Sequence, residues 1–371
     1  MRRTLVPLFL AGALMFLAGN AQALPRFAAR TGQKCMSCHV NPSGGGMRTP
    51  MGAQYGREEI PVPSLSEGFQ LEDFTTLVAN VLGVGADFRT IYYYQQNPDT
   101  GSGSTNANAF WQMQGDLYLN FRVAKKVNLY LDKGLYSGFE AFGLLNVLPA
   151  SGSVKIGKFV PNYGLKLDDH TAYIRTITGF SPAVGRPELT GVELAVAPGP
   201  STIMGGLFNA EDGFGGSGGN SKAYLGRAEV LWPAAKEIGI GFGGNLFGYE
   251  SPQDASRILY YGGFGLFSIY DFSLIGEVDW LRTEGESATV VGAVVYGEAN
   301  YPVVTGVDLK LAYDFYDPDL DLKTGARSRY GFGVEFFPIG GVELRLMYRV
   351  ASEEGVDGQT NEVDAMFHLY L

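Results

Sequence analysis

The chain has 371 residues, 46% hydrophobic and only 18% charged, with 52 glycines and a formal net charge of −10. This acidity excludes an ordinary nucleic-acid binder, since such proteins gather positive charge to neutralise phosphates. The glycine content and an aromatic share of 13% suit a β-barrel better than a helical or disordered chain.

In chain order, Arg2 and Arg3 precede an almost wholly apolar run over residues 4–18, and Ala21-Gln22-Ala23 is a small-x-small cleavage site. This is the pattern of a secretory signal over residues 1–23, removed to leave a chain starting at Leu24. No later segment has about 18 consecutive apolar residues, so a transmembrane helix is not expected.

Residues 24–60 read as a separate unit carrying Cys35-Met36-Ser37-Cys38-His39. C-x-x-C-H is the attachment motif of c-type haem: two thiols at this spacing form thioethers to both vinyl groups while the adjacent imidazole ligates the iron. The chain's two cysteines both fall in this pentapeptide, beside one of its three histidines. Cys35 and Cys38 are therefore the expected attachment points of one covalent haem c, and His39 its proximal ligand. The competing reading is a surface C-x-x-C disulfide.

For the sixth coordination position the sequence offers Met47, Met51, His170 and His368. Each has a plainer alternative: the methionines as gap-fillers against haem or wall, the histidines as hydrogen-bonded surface or lumen groups. Asn41-Pro42-Ser43-Gly44-Gly45-Gly46 is turn material, and Pro61, Pro63, Ser64 and Ser66 mark a linker over residues 61–70. A unit of this size buries little core alone and needs a covalent cofactor or a larger host.

From residue 71 to 371 the hydrophobic period is two. Trp111, Met113, Gly115, Leu117, Leu119, Phe121 and Val123 share one face against Gln112, Gln114, Asp116, Asn120 and Arg122. Val307, Leu309, Leu311, Tyr313 and Phe315 oppose Asp308, Lys310 and Asp314, while Val342, Leu344, Leu346, Tyr348 and Val350 oppose Glu343, Arg345 and Arg349. Charged residues pointing inward cannot fill a dry core, so the pattern predicts an all-β outer-membrane antiparallel barrel with a polar lumen rather than a soluble sandwich. Candidate strands, including 74–94, 170–178 and 361–371, amount to about 16. Such a barrel leaves a lumen able to receive the haem unit as a plug.

Acidic loop residues such as Glu211-Asp212 and Glu353-Glu354 read as solvated charge, and no nucleotide-binding or hydrolase motif is present. The stretch Pro25-Arg26-Phe27-Ala28-Ala29-Arg30-Thr31-Gly32, followed by Cys35, Cys38 and His39, resembles the start of the fused monohaem cytochrome–porins. The resemblance covers residues 25–56 and implies an outer-membrane electron-transfer protein of a Gram-negative bacterium. Its partners would be outer-membrane lipid, a periplasmic c-type cytochrome and an extracellular redox partner, Fe(II) among the candidates, as for an Fe(II):cytochrome c oxidoreductase. After the motif this chain departs from the iron-oxidising members, reading Asn41-Pro42-Ser43-Gly44-Gly45-Gly46-Met47-Arg48. A diffusion porin whose haem segment only gates the channel or docks a periplasmic protein is the alternative.

Overall fold

The computed structural model describes residues 25–66, 77–78, 81–98, 106–135, 138–180, 188–210 and 221–371. The predicted signal, residues 67–70 of the predicted linker and the start of the first predicted strand lie outside the described residues.

Among the described residues, sixteen long strands form one closed antiparallel barrel. They are β2 (Leu82–Gln96), β3 (Asn106–Ala124), β4 (Val127–Gly134), β5 (Phe139–Leu148), β6 (Gly152–Phe159), β7 (Leu189–Val196), β8 (Ser201–Asn209), β9 (Lys222–Ala235), β10 (Ile238–Glu250), β11 (Arg257–Ile269), β12 (Phe272–Glu284), β13 (Thr289–Val304), β14 (Val307–Asp317), β15 (Arg327–Phe336), β16 (Val342–Glu353) and β17 (Thr360–Tyr370). A two-residue β1 (Leu77–Val78) leads in by pairing with Gly83 and Leu82. Each strand pairs with the next, and the ring closes where β17 lies against β2, from Asn361↔Gln96 to Tyr370↔Asp87. The expected all-β barrel of about 16 strands is thus the observed fold.

Side-chain alternation shows which solvent the barrel faces. Asp308, Lys310 and Asp314 on β14 are buried while Leu309 and Leu311 are exposed; Glu343, Arg345 and Arg349 on β16 are buried while Leu344 and Leu346 are exposed. Apolar-out and polar-in is the arrangement lipid requires, because closure satisfies the backbone and only the outer belt meets hydrocarbon. Two-residue turns at Lys125-Lys126, Lys236-Glu237, Tyr270-Asp271 and Thr305-Gly306 share one end of the barrel, and the longer connections lie at the other.

Two expectations need correction. Between β2 and β3 the register shifts, Arg89 facing Gln114 and Thr90 facing Gln112, so Met113 is an extra residue. A bulge of one residue reverses every side chain beyond it. Met113 is consequently buried against Ile91 and Met366, and Trp111 joins Ile91 and Tyr93 around an internal vestibule instead of lying on the outer face with Leu117.

The second correction concerns the predicted strand 170–178. β6 and β7 pair directly with each other, Lys155 opposite Glu193, leaving no edge for an intervening strand. Residues 160–180, which follow β6, fold into the lumen, and Tyr173–Thr178 is a short helix. Its bonds are local, Thr176 N to Ala172 O at 3.1 Å and Gly179 N to Arg175 O at 3.0 Å. The β-branched alternation of Ile174, Thr176 and Thr178 mimics a strand, but burial of Ala172 and Ile174 beside Val294 and Tyr296 decides the outcome.

Candidate functional site

Four short helices carry the residues before the barrel: α1 (Pro25–Thr31), α2 (Cys35–Cys38), α3 (Pro50–Glu58) and α4 (Pro63–Ser66); the helix in the lumen is α5 (Tyr173–Thr178). The loop holding His39 is closed by backbone bonds from Val40 N to Met47 O at 3.0 Å and from Thr49 N to Cys38 O at 2.8 Å. It turns through Gly44, Gly45 and Gly46 at φ of 83°, 75° and 62°, a left-handed run that side-chain-bearing residues resist. Thr49 then caps α3, accepting from Gly52 N at 3.2 Å while its hydroxyl donates to Ser37 O at 2.8 Å. A β-carbon at Gly52 would overlap the Cys38 carbonyl, so glycine there permits α3 to lie directly on the motif.

This assembly is seated inside the short-turn end of the barrel. Arg26 is ion-paired with Glu335 and also donates to Asn300 Oδ1 at 3.2 Å. Ser268 Oγ donates to Ala29 O at 2.6 Å, and Lys34 Nζ to Ser201 O at 2.7 Å. Lys155 Nζ reaches Ser43 Oγ at 2.9 Å and Tyr130 accepts from Met47 N at 3.1 Å. Within the predicted linker, Val62 N donates to Phe337 O at 2.9 Å and α4 follows, so residues 61–66 are docked rather than extended.

Two cavities of about 600 Å³ flank the motif. Cys38 opens on one, walled by Phe27, Tyr55, Phe337 and Tyr370; Cys35 opens on the other, walled by Ala28, Leu231, Phe264 and Leu266. His39 lines both, and also a third, more polar cavity of about 840 Å³ shared with Arg48, Arg89 and His170. The cysteines are not joined in a disulfide. Burial pushes the Cys35 thiol up to about 12, with Glu229 reinforcing the shift, which makes it a poor thiolate for dithiol redox work. The donor set fits a covalently held haem better: two thiols one helical turn apart, an adjacent imidazole, aromatic walls and a glycine-lined approach.

The four candidates for the sixth position are placed very differently. Met47 is buried at 2% exposure and packs on the barrel wall at Gly83 and Gly85, and Met51 is exposed at 38%. His368 lines the cavity of Cys38, but its ring bonds Glu343 and Asp87, each at 2.8 Å. His170 lines the third cavity and has Arg89 Nη1 2.9 Å from its Nε2, while its buried Nδ1 has no hydrogen-bond partner.

The inward segment after β6 crosses the lumen on charged contacts. Asp168 meets Lys310 at 3.5 Å, Asp169 meets Arg349 at 2.6 Å, and Arg329 donates to Thr171 O at 2.8 Å. Burial would raise the Asp168 carboxyl, but Lys310 and Arg26 hold it well below the usual carboxylate range. Asp168, Glu335 and Glu343 converge closely enough to suggest a metal site. Lys310 lies 2.9 Å from Glu335 and Arg26 pairs with the same carboxylate, so the protein's own cations already answer this cluster. Beyond the segment, toward the longer connections, a vestibule of about 1850 Å³ is lined by His170, Thr171, Tyr173 and Tyr93.

Sequence reasoning missed Arg26, Arg48 and Arg89 as site residues. Nothing local marks them, since a charge on a short helix or on the wet face of a strand reads as solvated until the opposite wall is known.

No protein-family model matches the chain, and no curated protein matches it in sequence. Among solved structures it is similar to OmpT, an outer membrane protein of Vibrio cholerae, at a TM-score of 0.52 and 12% identity over 78% of this chain and 99% of that one. It is also similar to an anion-selective porin from Comamonas acidovorans, at 0.53 and 13% over 78% and 99%, and to Pseudomonas putida OprB, at 0.56 and 10% over 78% and 94%. What this chain shares with them is the fold, a porin-like barrel.

Proposed function

We propose that this chain is an outer-membrane cytochrome–porin. One haem c, attached at Cys35 and Cys38 and ligated by His39, relays single electrons between an extracellular donor or acceptor, Fe(II) among the candidates, and a periplasmic c-type cytochrome. The observation that carries the reading is that the chain's two cysteines and the adjacent histidine open on cavities within the short-turn mouth of a lipid-facing barrel. The haem would supply reversible one-electron chemistry. The chain's residues supply the rest: Arg26 and Lys34 lock the segment to the wall, the aromatic walls exclude water, and Thr49 with Gly52 fixes α3 on the motif. His170 lines both the third cavity and the vestibule, which puts a short distance of protein between solvent on the loop side and the motif. A single haem is small beside a hydrocarbon core of about 30 Å, so a soluble cytochrome is needed on the periplasmic side.

The porin-like neighbours and the wide vestibule favour a second reading, a diffusion porin in which the segment gates the channel or docks a partner. The deciding experiment uses protein purified from outer membranes of a host competent in cytochrome maturation. A covalent haem spectrum, lost in the Cys35→Ala, Cys38→Ala variant while the heat-resistant barrel persists, supports the electron relay. Reduction of the oxidised form by anaerobic Fe(II) would identify iron as a donor. Steady single-channel conductance with no covalent haem would establish the porin reading instead.

A further inference from the structure

We propose that Arg48 and Arg89 hold the carboxylates of the haem, its two propionates, and so tie the cofactor to both the N-terminal segment and the barrel wall. This rests on the haem-bearing reading above. His39 lies where two cavities meet, and Arg48 and Arg89 are the two arginines that line both. Arg48 faces His39 across an isolated antiparallel bridge, and Arg89 stands on β2.

Both guanidiniums are under-partnered. Arg89 is nine-tenths buried at 8% exposure. Its Nη1 donates to the Asp168 backbone carbonyl at 2.9 Å and lies 2.9 Å from His170 Nε2, its Nε has no hydrogen-bond partner, and no ion pair joins it to a carboxylate among the described residues. Arg48 lies over the Tyr370 ring at 4.4 Å, and its Nη1 stands 3.6 Å from Asp87 without a hydrogen bond.

The neighbouring acids are largely taken up by other groups, and Asp87 meets Arg48 only as a loose ion pair at 3.6 Å. Asp87 accepts from Tyr118 at 2.9 Å and bonds His368 at 2.8 Å, Glu343 bonds the same imidazole at 2.8 Å, and Asp168 faces Lys310. A buried guanidinium without an anion is costly, and a planar fork of donors matches a carboxylate bidentately. A haem brings two such carboxylates, in a cavity that already holds His39. The result would be a bridge of charge from Arg48 on the segment, through the cofactor, to Arg89 on the wall.

The test is a redox titration of the holoprotein from pH 5 to 9 for wild type, Arg48→Gln, Arg89→Gln, Arg89→Lys and, as a control at the long-loop end, Arg257→Gln. Asp87, Asp116, Asp132, Glu140, Lys166, Asp168, His170, Glu343 and His368 face the same cavities and titrate alongside; Arg89 neighbours Asp87, Asp116, Asp168 and His170, so a pH effect counts for the propionates only where Arg48→Gln and Arg89→Gln share it. Removing a guanidinium takes positive charge from the haem edge and releases a propionate to titrate. The two glutamine variants should therefore fall in midpoint potential at pH 8, with the gap narrowing toward pH 5 as the propionate takes a proton. Arg89→Lys should restore most of the shift, and Arg257→Gln should match wild type. If Arg89→Gln fails to assemble, Arg48→Gln and Arg89→Lys carry the comparison. Retained covalent haem with wild-type potentials and pH slopes in Arg48→Gln and Arg89→Gln overturns this inference alone. Absence of covalent haem from the wild-type protein overturns the haem-bearing reading, and this inference with it.

Discussion

The Arg26–Glu335 pair should anchor the N-terminal segment asymmetrically. Breaking a buried ion pair by removing one partner costs about 3–5 kcal/mol, most of it the price of the orphaned charge. In Arg26→Met the remaining Glu335 keeps Lys310 at 2.9 Å, so it is not orphaned and the cost should lie near the lower end, about 3 kcal/mol. In Glu335→Leu, Arg26 keeps among the described residues the Asn300 amide oxygen at 3.2 Å as its hydrogen-bond partner and Asp168 only as a more distant counter-charge, and the cost should approach about 5 kcal/mol. With roughly 1.4 kcal/mol per tenfold change, amide exchange of residues 25–60 through local opening should accelerate on the order of a hundredfold in Arg26→Met and by over a thousandfold in Glu335→Leu. Hydrogen exchange read by mass spectrometry on the detergent-solubilised protein measures both. The double variant should cost less than the sum of the singles, because the second change removes the charge the first one stranded. Equal effects, or a larger one from Arg26→Met, would refute the argument that Lys310 is the spare partner.

Three further outcomes are expected. Gly52→Val would drive a side chain into the Cys38 carbonyl, destabilising the segment by about 1–3 kcal/mol; limited proteolysis should cut it faster than wild type with the barrel intact, and unchanged resistance would contradict the close approach. Burial, with Arg175 nearby, lowers Lys166 to about 8 from 10.5. The folded state thus releases this proton near pH 8 and the unfolded chain only near pH 10.5, so stability should rise with pH across that window by up to about 1.4 kcal/mol per unit. Denaturant unfolding of the purified barrel at pH 8 and pH 10 measures the gain, and stability that is flat or falls between them would sink that expectation. In haem-free protein the Cys35 thiol, pushed up to about 12 by burial, should react with iodoacetamide at pH 8 far more slowly than after unfolding in denaturant; equal rates would show that the thiol is not buried.

The sequence alone determined the barrel, because a closed sheet between lipid and a wet lumen imposes a period of two on every strand, and that period is local. Leu309 against Lys310 and Leu344 against Arg345 could be assigned to their faces without any knowledge of neighbours. The motif Cys35-x-x-Cys38-His39 can also be read without neighbours, since the haem attachment proposed for it depends on spacing within one helical turn. Tertiary structure decided the rest. Met113 and Trp111 face inward because of a bulge that exists only in the pairing of β2 with β3. Residues 170–178 form a helix because β6 and β7 had already satisfied each other's hydrogen bonds. Arg26, Arg48 and Arg89 became site residues only when the barrel closed and brought segments as much as 309 positions apart, Arg26 and Glu335, into contact. The energy of a charge is set by what lies across the lumen, and no window along the chain contains that information.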